Sequence, residues 1–387
     1  MKIYFFFYFW ILLFAISPKL RNNKFFRNLL IVCLGAFLCT GYMVGTDWRD
    51  YELLYNYFDR PSYQDDHVEI GYFLLNNFFS WIGVYFWHFY IFLKILCYAS
   101  VIRFLLKYSK GNYGWALLFF YTYVSLNDYI NCPYRNLIAA TIFLYAIEAL
   151  MEDKWKRYIV ITLIASSFHL SALLIAPIMY LVLKKRNPFS RKAVIIGVMS
   201  FYAILIVAVS SSSISNLIML ISLVFGEGSS RSSNYLLMEG SSFSVGLAVI
   251  LLFFVATIYN RKEIYDNRTA IQMYNVGVFY ILIYIGFYFV PILARFNMFF
   301  YMPFLISLTS SLRLGKNKAL KACSLVLLAL FLNVALKNAL TRDYYYVPYS
   351  SYLQYVGREK PSYNYRSNHN IDYSPYRDNA QDLKWRE

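Results

Sequence analysis

Apolar runs long enough to cross a bilayer follow one another along most of this chain. Candidates cover residues 1–17, 25–44, 82–106, 113–130 and 134–151, then 193–212, 243–259, 271–290, 296–312 and 319–337. A helix needs about 20 apolar residues to span roughly 30 Å of hydrocarbon. Inside lipid, every backbone amide must be paired within its own segment. The expected fold is therefore all-α, a polytopic integral membrane protein with about 10 spanning helices. Composition agrees: 15% of the 387 residues are charged and 59% are hydrophobic, whereas soluble domains carry about a quarter charged residues. Residues 1–340 read as one transmembrane catalytic domain, and 341–387 as a Tyr-rich extracytoplasmic tail.

The net charge of +16 lies in short loops between apolar runs. That is the pattern of the positive-inside rule rather than of a nucleic-acid-binding arm. Lys19 to Arg27, Arg103 to Lys110, Lys154 to Arg157, Lys184 to Lys192, Arg261 to Arg268 and Arg313 to Lys321 mark the cytoplasmic side. The run 158–183 breaks the alternation, because both of its flanking loops are basic and it is too short for two spans. A re-entrant helical hairpin resolves the conflict, with Ser167-Phe168-His169 at its tip. Non-helical backbone at that depth is tolerated only in protein or against a water-filled cavity.

The five cysteines show no CxxC pair and no His at ligand spacing, so neither a metal nor a cofactor is expected. Residues 1–17 lack a small-residue cleavage site and read as a retained first helix. Residues 213–242, rich in Ser and Gly, read as a flexible lid or linker. The Tyr-rich stretch from 338 reads as an interfacial aromatic belt grading into disorder, or as a platform for stacking sugar rings.

Against this apolar background stand Asp47, Arg49, Glu69, Arg135, His169 and Arg295, each inside an apolar run or at the end of one. An ionisable group at membrane depth costs a few kcal/mol and marks a candidate site. The loop Gly45-Thr46-Asp47-Trp48-Arg49-Asp50-Tyr51 can be a sharp helix exit with an interfacial Tyr, which leaves its crowd of charges unexplained. Glu69-Ile70-Gly71-Tyr72 opens an amphipathic stretch running to Trp81, either an interfacial helix or an acid held at the membrane surface. Arg135 follows Pro133 at a helix start, where phosphate binds well, although an Arg there can also snorkel to the interface. Arg295 sits similarly after Pro291. His169 can be a packing residue or, at a hairpin tip, a base. By loop charge, all six fall toward the extracytoplasmic side.

Together these motifs resemble the EpsG-like family of bacterial polysaccharide polymerases, Wzy-type enzymes. The resemblance rests on Val44-Gly45-Thr46-Asp47 with Tyr51, on Glu69-Ile70-Gly71-Tyr72, on Arg135 opening an apolar helix, on Ser167-Phe168-His169-Leu170-Ser171-Ala172, on Arg295 before an aromatic span, and on the Tyr-rich end. It implies an architecture similar to the GT-C-like glycosyltransferases that use lipid-linked sugars. It also implies a multi-pass protein of the bacterial cytoplasmic (inner) membrane whose active site faces outward. The implied reaction transfers a growing glycan from undecaprenyl diphosphate to the non-reducing-end hydroxyl of an incoming lipid-linked unit, without a metal. In that setting His169, Asp47 and Glu69 are the catalytic candidates, and Arg135, Arg295, Arg49, Tyr51 and Tyr72 the substrate-binding ones. The implied partners are the undecaprenyl-diphosphate-linked oligosaccharide, membrane lipid, and a chain-length regulator and flippase of the same pathway. Another polyprenyl-linked glycosyltransferase or an O-antigen ligase fits the same residues. A lipid-linked oligosaccharide flippase would instead carry charges across the midplane and show repeat symmetry.

Overall fold

The computed structural model describes residues 1–57, 68–109, 111–210, 267–289, 296–313, 318–342 and 344–373. Arg295, the 213–242 linker and the expected span 243–259 lie outside the described residues. The described residues are helical, with a single isolated antiparallel bridge between Gly41 and Ser351. In chain order the helices are α1 (Lys2–Ile16), α2 (Pro18–Asn22), α3 (Lys24–Cys39), α4 (Trp48–Tyr57), α5 (Ile70–Trp81), α6 (Phe86–Tyr108) and α7 (Tyr113–Phe119). A π-helix, Phe120–Asn131, continues α7. Then follow α8 (Tyr134–Met151), α9 (Trp155–Ser166), α10 (Ser171–Lys184), α11 (Arg191–Ser210), α12 (Arg268–Phe289), α13 (Asn297–Arg313), α14 (Lys318–Arg342) and α15 (Tyr363–Tyr373). Helices α6 and α8 are long and apolar enough to cross a membrane, while α1 and α10 are apolar but shorter.

Contacts divide the chain into two compact units. One comprises Met1–Gln64, Leu74–Leu137 and Ala322–Glu387, the other Asp65–Phe73 and Ile138–Lys321. The C-terminal stretch thus belongs with the N-terminal elements rather than standing apart as a tail.

In the first unit, small residues let helices approach closely, as apolar helices without a hydrophobic drive between them require. A Cβ on Gly114 would lie 2.6 Å from Cα of Ala15, and one on Gly35 would lie 2.6 Å from the Tyr98 ring. Tyrosine hydroxyls then tie the helices through main-chain carbonyls. Tyr98 donates to Ile31 at 2.8 Å, Tyr121 to Tyr4 at 2.7 Å, and Tyr4 to Tyr346 at 2.6 Å. Each apolar ring fills the packing while its polar tip satisfies an acceptor that water cannot reach.

The Tyr-rich end is folded. Tyr344–Tyr346 and Tyr352–Tyr355 are 3-10 turns, the second capped by Ser351 and Gln354, and α15 follows with Arg366, Ser367, Asn370 and Ile371 buried. Over residues 344–373 the chain packs rather than fading into disorder, because the rings find partners. Tyr349 stacks near Phe37 at 4.7 Å and donates to the Phe37 carbonyl at 2.6 Å.

In the second unit, α9 and α10 form the expected hairpin. The Tyr158 hydroxyl on α9 donates to the Ala176 carbonyl on α10 at 2.6 Å. The open ends are tied by Asp153, whose carboxylate accepts from Lys184 at 2.6 Å and from Arg268 at 2.7 Å. These two cations hold the Asp153 carboxyl well below the usual carboxylate range. Helices of 12 and 14 residues rise about 18 and 21 Å, short of the roughly 30 Å of hydrocarbon. Beside α10, Gln272 of α12 donates to the Leu183 carbonyl at 3.0 Å, and Asn275 accepts from the Phe189 amide at 3.0 Å.

Candidate functional site

The hairpin tip is built from small polar residues that close their own turn. Ser166 Oγ donates to Leu163 at 2.9 Å and Ser167 Oγ to Ile164 at 2.8 Å, which satisfies carbonyls freed where α9 ends. The His169 amide bonds back to Ala165 at 3.2 Å, and α10 starts at Ser171. Onto this tip docks the start of α5. The Gly71 amide donates to the Ser167 carbonyl at 2.7 Å. A Cβ at Gly71 would lie 2.7 Å from that same oxygen, so the close approach requires glycine.

The docking sets Glu69 against His169, with Oε1 lying 3.1 Å from Nδ1. Their side chains are 21% and 13% exposed, enough for a ligand to reach while most solvent is excluded. The spacing is that of an ion pair without a completed hydrogen bond, and the carboxylate's charge faces the Nδ1 edge of the ring. Sequence reading names both residues as separate candidates, and the fold makes them a pair. Tyr72, one turn along α5 from Glu69, is fully buried.

A second constellation lies in the first unit. Gly45, at φ +81°, turns the chain where a Cβ would meet the Ile130 carbonyl at 2.0 Å. Thr46 follows. Its hydroxyl proton is shared between Asp47 Oδ1 at 2.8 Å and Asn131 Oδ1 at 2.5 Å, and its amide donates to Asn131 Oδ1 at 3.1 Å. The π-helix supplies Asn131 at its last residue. π-Helical segments are rare and recur at functional sites. After Cys132, at φ 61°, and Pro133, α8 begins, and the Arg135 amide donates to the Tyr51 hydroxyl at 3.4 Å. Burial pushes the Tyr51 hydroxyl above its ordinary range, and the nearby Asp47 pushes the same way. The Arg135 guanidinium, which also hydrogen-bonds it, pulls it down. Asp47, Tyr51 and Arg135 are all half-buried. A cation, a hydroxyl and a carboxylate thus meet beside a helix N-terminus, an arrangement suited to a phosphate with an attached polar group.

Arg49 does different work. It is 1% exposed and spends its guanidinium on main-chain carbonyls: Gly45 at 2.6 Å, Thr46 at 3.3 Å and Ser367 at 2.7 Å. Its fork is engaged by the protein's own main chain.

The sequence reading passes over several buried charges. Lys94 and Asp128 lie inside apolar runs and meet the criterion that singled out Arg135. Lys94 is 1% exposed with its ammonium 5.0 Å from the Tyr90 ring, and Asp128 is 4% exposed. Glu52 and Arg366 gave no sequence signal, because their significance lies in their meeting.

The EpsG family model matches residues 24–351. No curated protein and no solved structure matches the chain. The match takes in both constellations and ends before α15.

Proposed function

From the chain's membership of the EpsG family, whose model covers most of its length and points to a polysaccharide-polymerase-type function, we propose that it polymerises oligosaccharide repeat units carried on undecaprenyl diphosphate, at the outer face of the cytoplasmic membrane, as a multi-pass glycosyltransferase. The non-reducing-end hydroxyl of an incoming unit attacks the anomeric carbon of the growing glycan. The bond from that carbon to the diphosphate oxygen breaks, undecaprenyl diphosphate leaves, and the hydroxyl proton passes to the protein.

The observation that carries this reading is the Glu69–His169 contact at 3.1 Å. With Glu69 at Nδ1, Nε2 of His169 takes the hydroxyl proton, and the carboxylate stabilises the imidazolium that results. Arg135, at the N-terminus of α8, engages the diphosphate with its planar fork and offsets the charge that develops as the bond breaks. Tyr51 donates to the same anionic group, and Asp47 accepts from hydroxyls of the first sugar. Arg295 is the further phosphate ligand that the family resemblance suggests, and Arg49 shapes the Asp47 loop.

The test is glycan laddering in a deletion strain complemented with variants, with membrane levels checked. His169→Ala, Glu69→Gln and Arg135→Ala should leave single repeat units attached to their acceptor. Loss of all attached glycan would indicate a ligase, and units trapped inside would indicate a flippase. Wild-type laddering from His169→Ala would overturn the proposal.

A further inference from the structure

Helix α15 lies beyond the matched stretch, and its sequence carries no site motif. It nonetheless grips the loop that carries Asp47. Arg366 and Glu52 are 6% and 2% exposed and meet through two parallel contacts, Nη1 to Oε2 at 2.5 Å and Nη2 to Oε1 at 2.9 Å. Trp48, Tyr363, Tyr42 and Trp87 surround the guanidinium, with ring centroids 5.4 to 6.0 Å away. The next residue, Ser367, offers its carbonyl to Arg49 Nη2 at 2.7 Å, and Arg49 Nη1 donates onward to the Gly45 carbonyl at 2.6 Å. Tyr363 closes the circuit by donating to the Arg49 carbonyl at 3.4 Å.

The ion pair and the bonds from Arg49 to the Ser367 and Gly45 carbonyls are buried away from bulk water. A bidentate pair inside an aromatic box has one good geometry, since rotation or sliding of either partner strands a charge away from water. Glu52 directly follows Tyr51 on α4, and Gly45 and Thr46 directly precede Asp47. The contacts therefore bracket the Asp47–Tyr51 segment on both sides.

We propose that the Glu52–Arg366 pair is a clamp by which the C-terminal helix fixes the Thr46–Asp47 turn, and that Arg366 is a positioning residue for the group formed by Asp47, Tyr51 and Arg135. The inference rests on the reading of that group as the substrate anchor. Arg366 itself touches no substrate.

Two measurements on the full-length protein test the clamp. Hydrogen exchange in Arg366→Lys should rise about tenfold in peptides covering residues 44–57, while α6 and the α9–α10 hairpin exchange as in wild type. In membranes, the apparent KM for the lipid-linked unit should rise about tenfold with kcat nearly unchanged. A merely structural loss would lower the amount of active enzyme, and so kcat, and leave KM alone. If Arg366→Lys does not accumulate, the double variant Glu52→Gln/Arg366→Gln removes the clamp without stranding a charge and should show the same two shifts. Wild-type exchange at 44–57 overturns the clamp, and faster exchange with an unchanged KM overturns its role in positioning. Failure of the substrate-anchor reading shows separately, as wild-type laddering from Arg135→Ala, and leaves the exchange result to stand alone.

Discussion

Nδ1 of His169, at the tip of a helical hairpin, lies 3.1 Å from Oε1 of Glu69, at the start of a helix far earlier in the chain. The contact exists because Gly71 lets the backbone of α5 lie against Ser167, with an amide-to-carbonyl distance of 2.7 Å. Substituting either member should therefore act on the chemistry and leave insertion intact. His169→Ala is expected to lower polymerisation by about a hundredfold or more, the usual worth of a general base. Glu69→Gln should cost at least about tenfold, because the ring loses its orienting charge. Laddering with membrane levels normalised checks both, and a Glu69→Gln strain with wild-type polymer would separate the acid from the reaction.

Arg135 should tolerate no conservative replacement. Lysine keeps the charge and loses the planar fork. Removing one donor to a developing anion costs about 3 kcal/mol, or about a hundredfold in rate. Arg135→Ala is expected to reach that loss and Arg135→Lys to fall closer to Ala than to wild type. Rates from membrane vesicles with a defined lipid-linked unit would show it.

Two glycines should be irreplaceable for different reasons. Gly45→Ala must place a Cβ 2.0 Å from the Ile130 carbonyl at a φ of +81°. The expected result is a clear fall in the thermal midpoint of the purified protein. Gly71→Ala meets Ser167 Oγ at 2.3 Å and the Ser167 carbonyl at 2.7 Å. It should push α5 off the tip, lowering polymerisation more than the midpoint. Wild-type activity from Gly71→Ala would show that the docking is dispensable.

The hairpin should enter and leave the membrane on the cytoplasmic side. Single cysteines at Lys156 and Lys185 are expected to react with an impermeant maleimide only in inverted vesicles. Labelling of either in intact cells would place a full span between them. The Asp153 contact to Lys184 at 2.6 Å motivates the test, since it brings the two ends of the hairpin together.

Truncation after Tyr346 should do more than alter product length. It removes α15, and with it Arg366 and the Ser367 carbonyl, so Glu52 and Arg49 both lose the partners that hold the Asp47 loop. The expected outcome is loss of laddering with faster exchange at residues 44–57. A full-length polymer ladder from the truncated chain would show the C-terminal stretch dispensable for polymerisation.

The sequence by itself determined the helical class, the family and the hairpin around Ser167-Phe168-His169, and it singled out Asp47, Glu69, Tyr51 and Arg135 as candidates. These are legible because apolar length, loop charge and helix-start residues are local properties, written in consecutive positions. The tertiary structure decided which candidates meet. Glu69 found His169 through a glycine contact that no periodicity encodes, and Arg135 found Tyr51 through a turn that only Gly45 permits. Arg49, grouped with the others by charge alone, turned inward to main-chain carbonyls. The Tyr-rich end looked like a belt fading into disorder because tyrosine suits both a headgroup layer and a packed core. Distant partners such as Phe37, Trp48 and Glu52 give it a fold. A buried ion pair such as Glu52–Arg366 leaves no mark on sequence, since either residue alone reads as solvated, and the cost of burying each is offset largely by the other.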